Sequence, residues 1–242
     1  MFQFINIIIH YKQSVAYYDQ LPNPIMSSID TIFAGIDISS GRKPIAYVTL
    51  DHDLKVTFLE RCDISQAINH LEQFERVILA VNILTGRKST SAHRGQKIST
   101  DLKKKIVAAG FKPYLTSNAP RQWVETNPPE CFRSLAGQTP LPRRTLAGQI
   151  QRALILYEQG LQIDDPMDFF EEITRHHVLA GVMPTELLYS ASELDALAAA
   201  SVAWMLVNKP VQVDLTKDRG EGMIVIPRED KDWWRKKSGP PE

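Results

Sequence analysis

The sequence predicts an α/β protein: a mixed sheet, antiparallel at its start and parallel beyond, flanked by helices. Three observations predict it. Residues 32–37, 45–50 and 54–59 are short runs rich in β-branched residues, joined by tight turns, which is the pattern of an antiparallel meander. A helix-spaced stretch from Ser65 separates them from residues 77–81, Val-Ile-Leu-Ala-Val, the continuous apolar run of a strand buried on both faces. Helical and strand patterns then alternate to about residue 227, the order of an α/β domain.

The elements read as follows. Ile32 to Asp37 is a strand that stops at Ser39-Ser40-Gly41, and Asp51-His52-Asp53 is the turn between the second and third strands. Ser65 is placed to cap a helix that carries Ile68, Leu71 and Phe74 on one side. Residues 83–96 are polar and aperiodic, so they read as a loop. Ser99 or Thr100 then opens a helix through Leu102, Ile106 and Ala109, closed by Gly110. Residues 111–115 and 121–126 are strand candidates, the second ended by Asn127-Pro128-Pro129. Leu146, Ile150, Ala153, Leu154 and Tyr157 have helical spacing before Gly160. Residues 168–177 read as one helix, 193–207 as a long one, and 223–226 as a last, peripheral strand. There is no internal repeat.

Composition narrows the function classes. Apolar and charged fractions of 43% and 23% are those of a soluble globular chain. Net charge is zero, so any affinity for nucleic acid must come from a local patch. Cys62 and Cys131 form neither a disulfide framework nor a zinc spacing, and a reducing cytoplasm is the expected compartment. Residues 2–9 are apolar but far short of the roughly 20 that a membrane span needs, so no membrane partner is expected. Leu21-Pro22-Asn23-Pro24 breaks any continuing structure, and Met26 offers an alternative start. The expected organisation is an N-terminal extension over 1–30, one domain over 31–227 and a charged tail over 228–242, in which Trp233-Trp234-Arg235-Lys236-Lys237 has the make-up of a stacking and basic element.

Asp37 is the residue that composition alone does not explain. A carboxylate among apolar strand residues is costly unless it is paired, hydrogen-bonded or metal-bound. Turn formation with the following serines is the simpler account. Two further acids sit at comparable places: Glu125 at a strand end and Asp195 near the start of the last long helix. Asp195 follows Ser192 by three residues, which is also capping-box spacing. Asn82 ends the central strand. Beyond it, Arg87, Lys88, Arg94, Lys97, Lys103, Lys104, Lys105 and Lys112 face only Asp101, a basic segment able to track a phosphate backbone. Arg133, Arg143, Arg144 and Arg152 are candidates for further phosphate contacts. The paired His176-His177 point to different sides of a helix and suit a metal poorly.

Three meander strands, a helix and a central strand form the order of the RNase H-like fold. Over residues 32–227 the chain resembles the predicted RNase H-like nuclease family also known as domain of unknown function family 429. The carriers are Gly35-Ile36-Asp37, residues 77–82, Glu125-Thr126-Asn127-Pro128 as a Glu-x-x-Pro element, Arg144 with Gly148 and Arg152, Glu193-Leu194-Asp195-Ala196-Leu197 and Gly222 to Pro227. The resemblance implies the fold and a metal-dependent nuclease activity. The chain departs from the pattern at Asn82-Ile83-Leu84, where the family commonly carries Asp followed two residues later by Pro.

Such chemistry needs oxygen ligands from several elements around Mg²⁺ or Mn²⁺. The expected set is Asp37, Glu125 and Asp195 as catalytic carboxylates and metal ligands, with Asn82 as an uncharged fourth ligand. Arg87, Lys88, Arg94, Lys97, Arg144 and Arg152 are the expected nucleic-acid contacts. The competing readings are a catalytically weakened module that binds nucleic acid or protein, and an actin-like phosphotransferase suggested by Gly35-Ile36-Asp37. A chain of this length has room for one of the two lobes that such phosphotransferases close on ATP.

Overall fold

Thr31–Asp37 forms strand β1, an interior strand of the sheet. The computed structural model describes residues 31–38, 44–82, 92–114, 119–217 and 223–229. The expectations for 1–30, for the loop around Arg87 and Lys88 and for the tail from residue 230 fall outside them.

The strands are β1, β2 (Ile45–Leu50), β3 (Val56–Cys62), β4 (Arg76–Asn82), β5 (Lys112–Pro113), β6 (Arg121–Thr126), β7 (Val213–Lys217) and β8 (Met223–Pro227). Their order across the sheet is β3-β2-β1-β4-β6-β8-β7, with β5 also paired to β6. β1, β2 and β3 pair antiparallel, while β4, β6 and β8 continue parallel to β1. This mixed sheet, with its 3-2-1-4 order, is RNase H-like.

The helices are α1 (Ile64–Leu71), α2 (Ala92–Ala108), α3 (Pro128–Ala136), α4 (Leu146–Glu158), α5 (Asp168–Glu171), α6 (Arg175–Ala180) and α7 (Ala191–Asn208). They cover both faces of the sheet. Ala34, Ile36, Val77, Leu79, Val81 and Trp123 pack in one core with Ile64, Ile68, Leu102 and Ile106 of α1 and α2. Phe33, Ala80, Val124 and Val225 pack in the other with α3, α4 and α7. The alternation along each strand, one residue up and the next down, produces the two cores.

α7 lies against the middle of the sheet and is apolar on all sides because it is buried all round. Its approach to β1 is set by Gly35. A Cβ there would stand 2.0 Å from the Ala196 carbonyl oxygen and 2.6 Å from the Ala200 nitrogen. Glycine on the strand and alanines on the helix let the two backbones meet.

Several sequence expectations are corrected. α1 is capped by Asp63 rather than Ser65: the Gln66 side chain accepts the Asp63 N–H at 2.9 Å, completing a capping box. The third strand starts at Val56, since Leu54 takes a left-handed φ of 63° in the turn before it. α2 begins at Ala92, inside the stretch read as loop, because Arg, Gln and Lys favour helix without an apolar stripe. Asn127-Pro128-Pro129 ends β6 as expected but also opens α3, with proline at the first helical positions, where no N–H is needed. Residues 168–177 are not one helix: Thr174 accepts the His177 N–H at 3.2 Å and starts α6 anew. β8 is internal, since β7, which lacks a strong apolar pattern, takes the edge.

Candidate active site

The site begins with strand register. β1 and β4 run parallel, with Asp37 opposite Asn82 at their carboxyl ends, and Asn82 is in turn opposite Thr126 of β6. Paired residues of neighbouring strands project to the same face. Asp37, Asn82 and Thr126 therefore lie on the α7 side, each at most 5% exposed. Asn82 Nδ2 donates to Asp37 Oδ1 at 2.6 Å. Ser192 Oγ of α7 donates to Asp37 Oδ2 at 2.9 Å. Both oxygens of the Asp37 carboxylate are thus held by neutral donors.

Asp195 meets them from α7. It is not the helix cap that its spacing from Ser192 allowed. The capping box is Ser190 with Glu193: Ser190 N–H donates to Glu193 Oε2 at 2.7 Å, and the Ser190 hydroxyl receives the Glu193 N–H at 3.4 Å. Asp195 lies one turn further on, faces the sheet and is 1% exposed. Burial, and then the nearby Asp37 charge, push its pKa up to about 7, against the opposing pull of Arg143 and Arg152. Arg143 NH1 stands 2.9 Å from Asp195 Oδ2. Cys131 lies in the same region, where burial pushes its thiol up to about 12, so it is no nucleophile at neutral pH.

Arg143 is aimed by its loop. The Pro142 carbonyl oxygen would be 2.0 Å from a Cβ at Gly148, so glycine lets the loop lie on α4. Arg152 NH1 donates to the Leu141 carbonyl at 2.8 Å and to the Gly148 carbonyl at 2.9 Å. Thr145 Oγ1 donates to the Pro142 carbonyl at 2.8 Å and accepts the Gly148 N–H. Arg152, expected as a nucleic-acid contact, is buried, with its guanidinium over the Phe132 ring and its NH1 on the Leu141 and Gly148 carbonyls. Arg144, the residue after Arg143, is exposed.

Glu125 is where the expected cluster divides. It pairs with Val81, one residue before Asn82, and so projects to the opposite face from Asp37. There Lys103 Nζ of α2 stands 2.6 Å from Glu125 Oε1, in an ion pair whose carboxylate is 3% exposed. Lys103 also lies 5.6 Å from the centre of the Trp123 ring. Asp37, Asn82 and Asp195 share a face, while Glu125 is on the other. The cause is the two-residue period of a strand.

The basic residues are divided too. The backbone of Arg94 and Lys97 lies in α2, Arg87 and Lys88 are outside the described residues, and Arg133 pairs with Glu130 of its own helix. Among the described residues, the acidic and imidazole side chains with three ligand atoms within 4.8 Å of one another are Asp51, His52 and Asp53. They form the β2–β3 turn at the opposite end of β1 from Asp37, where Asp51 Oδ1 accepts the N–H groups of Asp53 and Lys55. Turn geometry accounts for that grouping. Two contributors were not singled out in the sequence as carboxylate partners, Ser192 and Arg143. Neither carries a local signal for the role, because both act across the fold.

Fold and site together define an RNase H-like α/β protein with two buried aspartates on one face of its sheet, Asp37 at the carboxyl end of β1 and Asp195 on α7. Among solved structures, it is similar to RuvC of Thermus thermophilus, with 13% sequence identity over 72% of this chain and 95% of that one, at a TM-score of 0.35. No family model and no curated protein matches the chain.

Proposed function

We propose that this protein is a divalent-metal-dependent nuclease whose ion, Mg²⁺ or Mn²⁺, is held by Asp37 and Asp195. The observation that carries the reading is the pair itself. Two carboxylates are buried on one face, Asp37 at the end of β1 and Asp195 on α7, near enough that the Asp37 charge adds to burial in raising the Asp195 pKa. A hard cation would relieve that repulsion, and one or two carboxylates suffice for Mg²⁺ when waters and phosphate complete its shell. Asn82 gives its nitrogen to Asp37, so its oxygen is the atom left for a cation.

When bound, the ion would polarise the phosphodiester and lower the pKa of a coordinated water. The chain's own residues do the rest. Ser192 and Asn82 orient Asp37. Asp195 holds or releases a proton near neutrality. Arg144 and the basic residues of α2 add positive charge for the nucleic-acid backbone. Glu125 supports α2 through Lys103 and lies apart from this chemistry.

The test is cleavage of labelled single-stranded and branched oligonucleotides in Mn²⁺, comparing wild type with Asp37→Asn and Asp195→Asn. Loss of cleavage in both variants, with unchanged circular dichroism, supports the reading, and cleavage that survives either one refutes it. A second reading, binding without catalysis, is favoured by one observation: Asn82 presents a donor to Asp37 where a third carboxylate would strengthen a metal site. Salt-dependent oligonucleotide binding with no Mn²⁺ uptake would select it.

A further inference from the structure

Arg143 is the charged side chain on this face that reaches outward from the buried acids. Asp195 is 1% exposed, whereas the Arg143 side chain is 30% exposed, so its guanidinium runs from the surface to the carboxylate. The backbone on either side is pinned: Leu141 by Arg152 and by the Gln151 side chain, which accepts the Leu141 N–H at 2.7 Å, and Pro142 by Thr145 and by contact with Gly148. A pinned backbone with a long, part-exposed side chain confines any rearrangement to side-chain rotation, which is fast.

We infer that Arg143 is a ligand of the substrate phosphate, resting on Asp195 until a cation takes the two carboxylates. This rests on the metal-site reading above. The argument is one of charge. A divalent ion at Asp37 and Asp195 places two positive charges where the guanidinium now sits, and like charges at that distance repel. A phosphate that joins the ion is an anion within reach of the guanidinium, whose planar fork matches two phosphate oxygens. Because the loop holds its Cα beside the site, that phosphate is the one at the metal. Exposed Arg144 follows in sequence. The class of ligand is a phosphodiester backbone.

The test measures two affinities in the full chain, for wild type, Arg143→Ala, Arg143→Gln and Arg143→Lys. Mn²⁺ alone is titrated by calorimetry at about pH 8, above the pKa of about 7 to which Asp195 is raised. Binding of a labelled phosphorothioate oligonucleotide is then read by fluorescence anisotropy at saturating Mn²⁺. Removing the arginine is expected to tighten Mn²⁺ severalfold and to weaken the oligonucleotide about tenfold. Lysine is expected to recover part of the second affinity, as a point charge without the fork. Unchanged oligonucleotide affinity in Arg143→Ala and Arg143→Gln, with Mn²⁺ bound, overturns this inference alone. Failure of wild type to take up Mn²⁺ overturns the metal reading and this inference with it.

Discussion

Asn82 Nδ2 and Asp37 Oδ1, register partners on neighbouring parallel strands, are joined by a 2.6 Å hydrogen bond between two buried side chains. An amide there supplies a proton to a carboxylate. An aspartate would supply a second charge.

Asn82→Asp therefore has opposite effects with and without metal. Without it, two carboxylates in contact are expected to lower stability by roughly 2–4 kcal/mol, or to be neutralised by proton uptake. With Mn²⁺ the variant is expected to gain more stability than wild type does. Melting temperature with and without Mn²⁺ checks it, and equal metal-induced shifts in the two proteins would count against a metal at Asp37.

Gly35→Ala probes the contact that brings α7 to β1. The added methyl would meet backbone on two sides, at 2.0 Å from Ala196 and 2.6 Å from Ala200, and backbone cannot rotate away. The expected loss is on the order of 3 kcal/mol in urea denaturation. Because the same contact sets Asp195 beside Asp37, Mn²⁺ affinity is expected to fall as well.

The raised pKa of Asp195, about 7, fixes the sign of a pH effect. The fold favours the neutral acid, while the unfolded chain releases the proton near an ordinary carboxylate pKa. Stability contributed at Asp195 is therefore lost as pH rises from about 4 to about 7, by a few kcal/mol. Asp195→Asn is expected to flatten the decline over that window. Denaturation midpoints across the range, variant against wild type, measure it. Mn²⁺ must displace the same proton, so its affinity is expected to rise with pH until about 7 and level off beyond.

Glu125→Gln separates the two faces of the sheet. If Glu125 were a metal ligand, Mn²⁺ affinity would drop. Its position opposite Val81 predicts an unchanged affinity by calorimetry. Lys103→Met is expected to cost on the order of 2 kcal/mol by leaving the Glu125 carboxylate without its counter-charge, the exposed end of Lys103 limiting the loss. The double change, with Glu125→Leu, is expected to recover most of it.

The arrangement of the first four strands was legible in the sequence because each carries its own local signal. β-branched runs, polar turns and one continuous apolar strand are properties of neighbouring residues. β7 and α3 escaped notice, the first because its alternation rests on only Val213 and Leu215 and the second because Pro128-Pro129 reads as a stop when only the preceding strand is considered. At the site, Asp37, Asn82 and Asp195 were marked by a charge or amide set among apolar neighbours. Ser192 was marked only as a cap, a role that Ser190 performs.

What the sequence alone determined, then, is the three-strand meander, the continuous apolar strand after it, the long helix from about residue 193 and which acids stand among apolar neighbours. What the tertiary structure decided is which acids meet. Strand register put Asn82, not Val81, beside Asp37, and so turned Glu125 to the far side with Lys103. The close approach of α7 at Gly35 brought Asp195 in, and the loop held by Gly148 and Arg152 brought Arg143 to it. Local pattern is written in neighbouring residues, but side-chain meetings depend on register and on the distance between elements, and a shift of one residue in a strand reverses the face.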